Sequence, residues 1–163
     1  MRILGIDPGY ALVGFGIVEE NFSNITVVDY GIISTDKSLS MPERLSIIEK
    51  SLEDIFSIYK PDAVAIEELF FFKNQTTLVP VAQARGVIIN CCYKICKNLF
   101  EYTPLQIKQA LTGFGRAEKK QVQYMTKTIL NLKDIPKPDD VADALAVAIC
   151  HAQTSKQLNE NQI

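Results

Sequence analysis

Histidine and paired cysteines are scarce in this sequence. The chain has one histidine, His151, and four cysteines that form no Cys-x-x-Cys pair: Cys91, Cys92, Cys96 and Cys150. Without a second histidine or a dithiol motif, zinc-finger and thioredoxin-like functions are not indicated. We interpret the cysteines as buried thiols in a reducing compartment, with a metal or redox role as the alternative. We expect His151, near a helix end, to lie on the surface.

Long apolar runs are also absent. No uninterrupted apolar segment approaches the roughly 20 residues of a membrane-spanning helix, and the N-terminus enters a strand pattern without a signal peptide. We therefore expect a cytoplasmic protein. Its 163 residues, with 47% apolar and 22% charged side chains, predict a single globular domain over 1–153 and a flexible polar tail over 154–163.

Positive charge is weak overall but locally concentrated. The net charge of −2 gives no global signal for nucleic-acid binding. Between Lys94 and Lys127, however, seven lysine or arginine side chains stand against two glutamates, so this segment carries +5. We predict a phosphate-binding face here, with Arg116 and Lys120 among the residues that contact nucleic acid. The alternative is a solvated helix face without a ligand.

The predicted elements are three strands followed by alternating helices and strands. A turn-like segment at 21–24 joins the second and third strands as an antiparallel hairpin, and the apolar run at 63–66 suits a central parallel strand. Ser40 and Glu43 predict a capping box at the first helix. This order predicts an α/β fold with a mixed sheet and helices on its faces. The predicted strands are 2–7, 12–20, 25–34, 63–67 and 99–102, and the predicted helices are 41–59, 77–97, 104–111, 117–131 and 139–153.

Four acidic residues stand where carboxylates are rarely found. Asp7 and Glu67 each end an apolar strand, and Asp140 and Asp143 open an otherwise apolar helix. A buried carboxylate is unfavourable unless it is paired or holds a metal. Functional groups collect at the carboxyl ends of parallel strands, and residues three apart on a helix share a face. The sequence therefore predicts that these four side chains converge at one edge of the sheet.

A cluster of four carboxylates suits hard divalent cations. Mg²⁺ prefers oxygen ligands, and two such ions can support in-line displacement at a phosphodiester. The pattern therefore predicts Mg²⁺-dependent phosphodiester chemistry that needs neither histidine nor cysteine. Simpler interpretations stay open. Asp139 and Asp140 can cap the helix, Glu67 can be a solvated charge, and Asp7 can form a turn.

Two further features lie close to the predicted acidic edge. Phe70, Phe71 and Phe72 follow the fourth strand, and we select Phe70 for stacking on a nucleic-acid base, with a role as a core anchor as the alternative. The glycine-rich hairpin that runs from Asp7-Pro8-Gly9 to Gly14 and Gly16 predicts a backbone that a phosphate can approach closely.

Seven short segments of the chain together resemble one known family. They extend over nearly the whole sequence: ILGIDPG at 3–9, AIEE at 65–68, QARG at 83–86, IKQ at 107–109, GFGRAEK at 113–119, QVQ at 121–123 and DVADALA at 140–146. This combination is similar to the RuvC family of Holliday junction resolvases, within the RNase H-like superfamily. The resemblance implies a five-stranded sheet, antiparallel over its first three strands and then parallel, with helices on both faces.

The resemblance also implies an activity and partners. It implies a homodimer that cuts four-way DNA junctions by symmetrical nicks in recombination and repair, and that works with RuvA and RuvB. It implies two Mg²⁺ per subunit, with Mn²⁺ as a substitute. The residues that match the family's catalytic and metal-binding acids are Asp7, Glu67, Asp140 and Asp143. Those that match its DNA-contacting residues are Lys108 and Lys119, for phosphate, and Phe70, for stacking.

The helix over 86–95 fits the expectation of a dimer. Its apolar face is larger than one sheet needs, and a two-fold interface would cover the excess. Burial within the core is the alternative.

Two other classes of protein stay open. RNA-processing nucleases and actin-like ATPases share the Asp-x-Gly hairpin, although the ATPases usually need a second domain for which 163 residues leave no room. A non-enzymatic module that binds DNA structures, with purely structural acids, is the third possibility.

Overall fold

The computed structural model describes residues 1–22, 24–69, 75–154 and 161–163. The strands in these ranges are β1 (Arg2–Asp7), β2 (Leu12–Asn21), β3 (Asn24–Ser34), β4 (Ala63–Glu67) and β5 (Leu99–Tyr102). The helices are α1 (Met41–Tyr59), α2 (Gln75–Ile95), α3 (Pro104–Thr112), α4 (Lys119–Ile129) and α5 (Asp139–Thr154). The predicted order of elements is confirmed.

The strands form one mixed sheet in the order β3-β2-β1-β4-β5. The first three strands pair antiparallel, and β4 pairs parallel with both β1 and β5, as predicted. Ile6 of β1 lies beside Ile66 of β4. Because parallel neighbours end at the same edge, the next residues along these strands, Asp7 and Glu67, also lie side by side there.

Local hydrogen bonds set the starts of two helices. At α1, the carboxylate of Glu43 accepts a 2.8 Å hydrogen bond from the backbone amide of Ser40, within the predicted capping box. At α3, the hydroxyl of Thr103 accepts a bond from the amide of Gln106, and Pro104 follows as the first helical residue. Such caps satisfy amides that have no partner inside the helix.

Helices cover both faces of the sheet. On one face α5 packs across β1, β2 and β4, with α3 and α4 beyond it, and on the other face lie α1 and α2. Every residue of α5 from Val141 to Ala152 is buried except Asp143. The helix is thus the centre of one core, and its acidic residues stand out against an apolar surrounding.

The position of His151 differs from our prediction. The side chain is buried, with only 1% of its surface exposed, so the expectation of a surface histidine was wrong. Its Nδ1 shares a 2.8 Å hydrogen bond with the Tyr102 hydroxyl, and its ring centroid lies 4.4 Å from that of Phe100. A histidine near the end of a helix is buried here because that helix is covered along its whole length.

Smaller differences concern element ends and the C-terminus. α4 is shorter than predicted, because Glu118 caps its start and the chain turns at Asn131, where φ is +50°. α2 ends at Ile95, two residues early. Residues 161–163, within the segment expected to be a flexible tail, lie beside β5, where Gln162 forms an antiparallel bridge with Phe100.

All four cysteines are free thiols: Cys91, Cys92 and Cys150 are buried, as we expected, and Cys96 is partly exposed. No helix among the described residues combines the length and apolar character that crossing a bilayer requires.

Candidate active site

The acidic edge is built by two strand ends and the first turns of α5. Asp7 and Glu67 lie at the ends of the parallel neighbours β1 and β4. Asp140 and Asp143 lie in the first two turns of α5, which crosses the same strands. The structure thus brings to one edge four acids that are distant in sequence.

Two glycines let α5 approach the sheet closely. A Cβ atom at Gly14 would lie 2.0 Å from the carbonyl oxygen of Asp140, and one at Gly16 would lie 2.6 Å from the Leu145 side chain. A side chain at Gly14 would push α5 away from the sheet, and one at Gly16 would force the Leu145 side chain to shift. Our interpretation of Gly14 and Gly16 as a phosphate-approach loop was therefore wrong: they face a helix, and Gly14 sets the depth at which Asp140 meets Asp7.

Burial and like charges dominate the electrostatics of the edge. Burial, followed by the charges of Glu67, Asp143 and Asp140, raises the pKa of Asp7 from 3.8 to about 8. Burial, followed by the charge of Asp143, raises the pKa of Glu67 from 4.5 to about 7. Burial also raises the pKa of Asp143, although its bond to Lys119 opposes this. The pKa of Asp7 thus responds to all three of the other predicted acids, which places it among them.

Two lysines border the acids. The ammonium of Lys119 lies 2.8 Å from Oδ2 of Asp143 and 3.4 Å from Oδ2 of Asp139. Lys108 and Lys119 both lower the pKa of Glu67. A cavity of about 170 Å³ is lined by these four charged side chains, among others: Glu67, Asp143, Lys108 and Lys119. The cavity thus joins carboxylates that suit a cation to ammonium groups that suit an anion.

The carboxylates of these acids are suitable ligands for a divalent cation. Within the described residues, no hydrogen bond or ion pair reaches the carboxylates of Asp7 and Glu67. Carboxylate oxygens are the hard donors that Mg²⁺ and Mn²⁺ prefer. In the described ranges no three Asp, Glu, His or Cys side chains are already drawn together as a metal-binding group.

The remaining predicted DNA contacts do not line this cavity. Arg116 and Lys120 are exposed. Lys120 borders a separate cavity of about 390 Å³ together with Tyr124 and Thr112. Phe70, our candidate for base stacking, lies outside the described residues.

Asp139 is a neighbour of the site that we considered only as a helix cap. Its Oδ1 lies 3.0 Å from the ammonium of Lys137, and its Oδ2 faces Lys119. Its position four residues before Asp143 was the available signal, since residues i and i+4 share a helix face. The lysine partner is 20 positions away in sequence, so the contact itself was not predictable.

A mixed sheet of this order, with acids at the ends of adjacent parallel strands and on a helix that crosses them, defines an RNase H-like nuclease. The family model for the crossover junction endodeoxyribonuclease RuvC matches residues 3–151. A protein of that name from Caldicellulosiruptor saccharolyticus is 55% identical over 159 residues, which cover 97% of this chain and 96% of the relative. One from Alkaliphilus metalliredigens is 56% identical over 154 residues, which cover 94% of each chain.

A solved structure agrees with these relatives. Thermus thermophilus RuvC in complex with a Holliday junction substrate matches with a TM-score of 0.89 and 32% identity, over 96% of this chain and 95% of that one. The chain belongs to the family of crossover junction endodeoxyribonuclease RuvC. This is a family of divalent-metal-dependent nucleases that act on DNA.

Proposed function

We propose that this protein resolves four-way DNA junctions by paired, symmetrical nicks in recombination and repair, with two Mg²⁺ ions, or Mn²⁺ in their place, held by Asp7, Glu67, Asp140 and Asp143. One observation carries the proposal. The largely buried carboxylates of Asp7 and Glu67 end adjacent strands and receive no hydrogen bond or ion pair from the described residues. Glu67 also lines a cavity that two lysines share. Unpaired buried acids beside cationic groups are what a phosphodiester and its metal ions require.

In this proposal the acids of the site bind the metal ions, and its lysines bind the phosphate. When bound, the cations supply activation of water and stabilisation of the leaving oxygen. Asp7 and Glu67 hold them from the sheet edge, and Asp140 and Asp143 hold them from α5. Lys108 and Lys119 bind oxygens of the scissile phosphate and orient it in the cavity.

Other residues bind the DNA beyond the scissile phosphate. Arg116 and Lys120 contact neighbouring backbone phosphates, and Phe70 stacks on an unpaired base. The concentration of basic residues supports this assignment on a chain of net charge −2, because affinity follows the local rather than the total charge.

A homodimer suits the two-fold symmetry of a four-way junction. Along α2, the side chains of Val79 and Tyr93 are 62% and 48% exposed. No atom of the described residues comes within 4 Å of a Cβ placed at Gly86. The core interpretation is correct for Ile88, Cys91 and Cys92, which are buried, so the interface that we propose uses the opposite face.

A Gly86→Glu variant tests the dimer. It adds a charge where the single chain has open space, so we expect it to stay folded and to sediment as a monomer, whereas the parent sediments as a dimer. A parent that is monomeric at micromolar concentration contradicts the proposed interface. We further propose that the dimer works with RuvA and RuvB on junctions, in the cytoplasm.

A substrate panel tests the proposed activity. The protein is incubated with a synthetic four-way junction, a plain duplex of the same sequence and an RNA hairpin, each with Mg²⁺ or with EDTA. We expect paired nicks in the junction with Mg²⁺ alone. Cleavage of the RNA hairpin instead identifies an RNA-processing nuclease. Binding of the junction without cleavage under any metal condition identifies a non-catalytic module.

A further inference from the structure

Lys119 lies between two aspartates that are one helical turn apart. Its ammonium is 2.8 Å from Oδ2 of Asp143 and 3.4 Å from Oδ2 of Asp139. The other oxygen of Asp139, Oδ1, accepts from Lys137 at 3.0 Å. Each carboxylate oxygen of Asp139 therefore faces a different lysine: Oδ1 accepts from Lys137, and Oδ2 faces Lys119.

The closer contact conflicts with the proposed role of Asp143. A divalent cation on Asp143 would use the same carboxylate that now accepts from Lys119, and it would place a second positive charge beside the ammonium. Two cations at one exposed or half-buried carboxylate repel each other. Lys119 must then release Asp143 when the cation binds, and a long exposed side chain without another acceptor would move into solvent.

The second aspartate offers Lys119 another position. Asp139 stands one turn closer to solvent on the same face of α5, with 46% of its side chain exposed against 25% for Asp143. The Lys119 ammonium already lies within ion-pair distance of it. A small movement from Asp143 to Asp139 keeps the ammonium at the mouth of the cavity, where a phosphate would enter.

We propose that Asp139 is a positioning residue that receives Lys119 when the cation occupies Asp143, so that Lys119 stays beside the cavity to bind the scissile phosphate. This inference rests on the proposed function, because it assigns Asp143 to the metal and Lys119 to the phosphate. The inference predicts that Asp139 affects both the metal affinity and the cleavage rate. Both effects should depend on the presence of Lys119.

A double-mutant cycle tests this dependence. Asp139→Asn is prepared in the parent and in a Lys119→Met background, with Asp134→Asn as the control for loss of one negative charge from the same connection between α4 and α5. The first measurement is Mn²⁺ binding without DNA, followed by the electron paramagnetic resonance signal of free Mn²⁺. The second is single-turnover junction cleavage at saturating Mn²⁺.

Asp139→Asn should weaken Mn²⁺ binding about two- to fivefold in the parent, the range expected for one exposed ion pair. Without Asp139, Asp143 is the one acid among the described residues within ion-pair distance of Lys119, so Lys119 competes more strongly with the metal. Cleavage should slow by a similar factor. In the Lys119→Met background both effects should shrink at least twofold, and Asp134→Asn should change little in either background.

Equal effects of Asp139→Asn in both backgrounds would reveal a general charge effect and overturn the inference, and so would the absence of any effect in the parent. Failure of the proposed function has a different signature. In that case the parent does not cut the junction at all, while the Mn²⁺ cycle still reports whether Asp139 acts through Lys119.

Discussion

The two ends of α5 both carry polar side chains that are at least partly buried, yet they differ in the groups that those side chains face. At the C-terminal end, His151 bonds Tyr102, and the Thr154 hydroxyl lies 2.7 Å from the Cys150 carbonyl, to which it donates, and 3.3 Å from the Tyr102 hydroxyl. At the N-terminal end, Asp140 and Asp143 face further acids, whose pKa values are raised. A polar group satisfied within the chain stabilises the fold, whereas acids that crowd other acids and have raised pKa values indicate a functional site.

The largest expected effect comes from a substitution at the acidic edge, and it is an effect on catalysis. Asp7→Asn keeps the shape of the side chain and removes its charge, so it should lower junction cleavage at least about 10³-fold, equivalent to about 4 kcal/mol of transition-state stabilisation. Junction binding, measured by fluorescence anisotropy in EDTA, should persist. Asp134→Asn, an exposed acid between α4 and α5, should cleave normally. An Asp7→Asn protein that still cuts at one tenth of the parent rate contradicts the assignment.

The sequence already contained most of the information about the N-terminal end of α5. Asp7 and Glu67 each follow a short apolar run, so strand ends and the rule for parallel sheets were enough to predict their shared edge. The helix cap at Ser40 was readable because capping is local. The catalytic and metal-binding roles of the four acids stay predictions.

Long-range contacts explain what the sequence did not reveal. The partner of His151 is Tyr102, 49 residues away, and without it a single histidine near a helix end has no visible reason to be buried. Lys119 and Asp139 meet only because α4 packs against α5. Gly14 and Gly16 looked like a phosphate loop, because a hairpin glycine gives the same local pattern whether a ligand or a helix approaches it.

The next effect concerns His151, at the satisfied end. Burial lowers the pKa of His151 from 6.5 to about 4. Between these values the unfolded chain holds a proton that the folded protein lacks, so stability falls as the pH drops through this window. The loss should reach about 3 kcal/mol near pH 4. Urea unfolding at pH 7 and pH 4.5 measures it.

A His151→Gln variant is the comparison for that titration. It should be less stable than the parent at pH 7, because it loses the ring contact with Phe100, but it should lack the additional loss in acid. An equal drop in both proteins would assign the acid sensitivity to other groups.

An effect of opposite sign is expected at the acidic end. In the folded, metal-free protein Asp7 has a pKa of about 8 against an ordinary value of 3.8. Between these values the folded protein holds a proton that the unfolded chain has lost, so stability falls as the pH rises. Asp7→Asn cannot lose that proton. In EDTA at pH 8 it should therefore be more stable than the parent, since each unit of pKa shift is equivalent to about 1.4 kcal/mol.

Thermal and urea unfolding in EDTA at pH 5 and pH 8 measure this difference, which should be larger at pH 8. A variant that is equally stable or less stable than the parent at pH 8 would mean that Asp7 has a partner in the folded protein.

The smallest effect tests the satisfied network itself. Thr154→Val removes the hydroxyl that bonds the Cys150 carbonyl and approaches Tyr102, so it should lower the unfolding free energy by about 1 kcal/mol. Thr128→Val is the matched control, since Thr128 makes the same bond to a carbonyl four residues earlier, Tyr124, on the exposed face of α4. Its effect should be near zero. Equal losses at both positions would mean that burial adds nothing to the Thr154 bond.

Location of the bound ions is the most direct test of the central claim that the acids at the start of α5 and at the ends of β1 and β4 jointly bind catalytic cations. Crystals soaked in Mn²⁺ would be measured at a wavelength where manganese scatters anomalously. We expect anomalous peaks within about 2.5 Å of the carboxylate oxygens of Asp7 and Glu67. Peaks only elsewhere, from a protein that cuts junctions in the same Mn²⁺ buffer, would contradict the account.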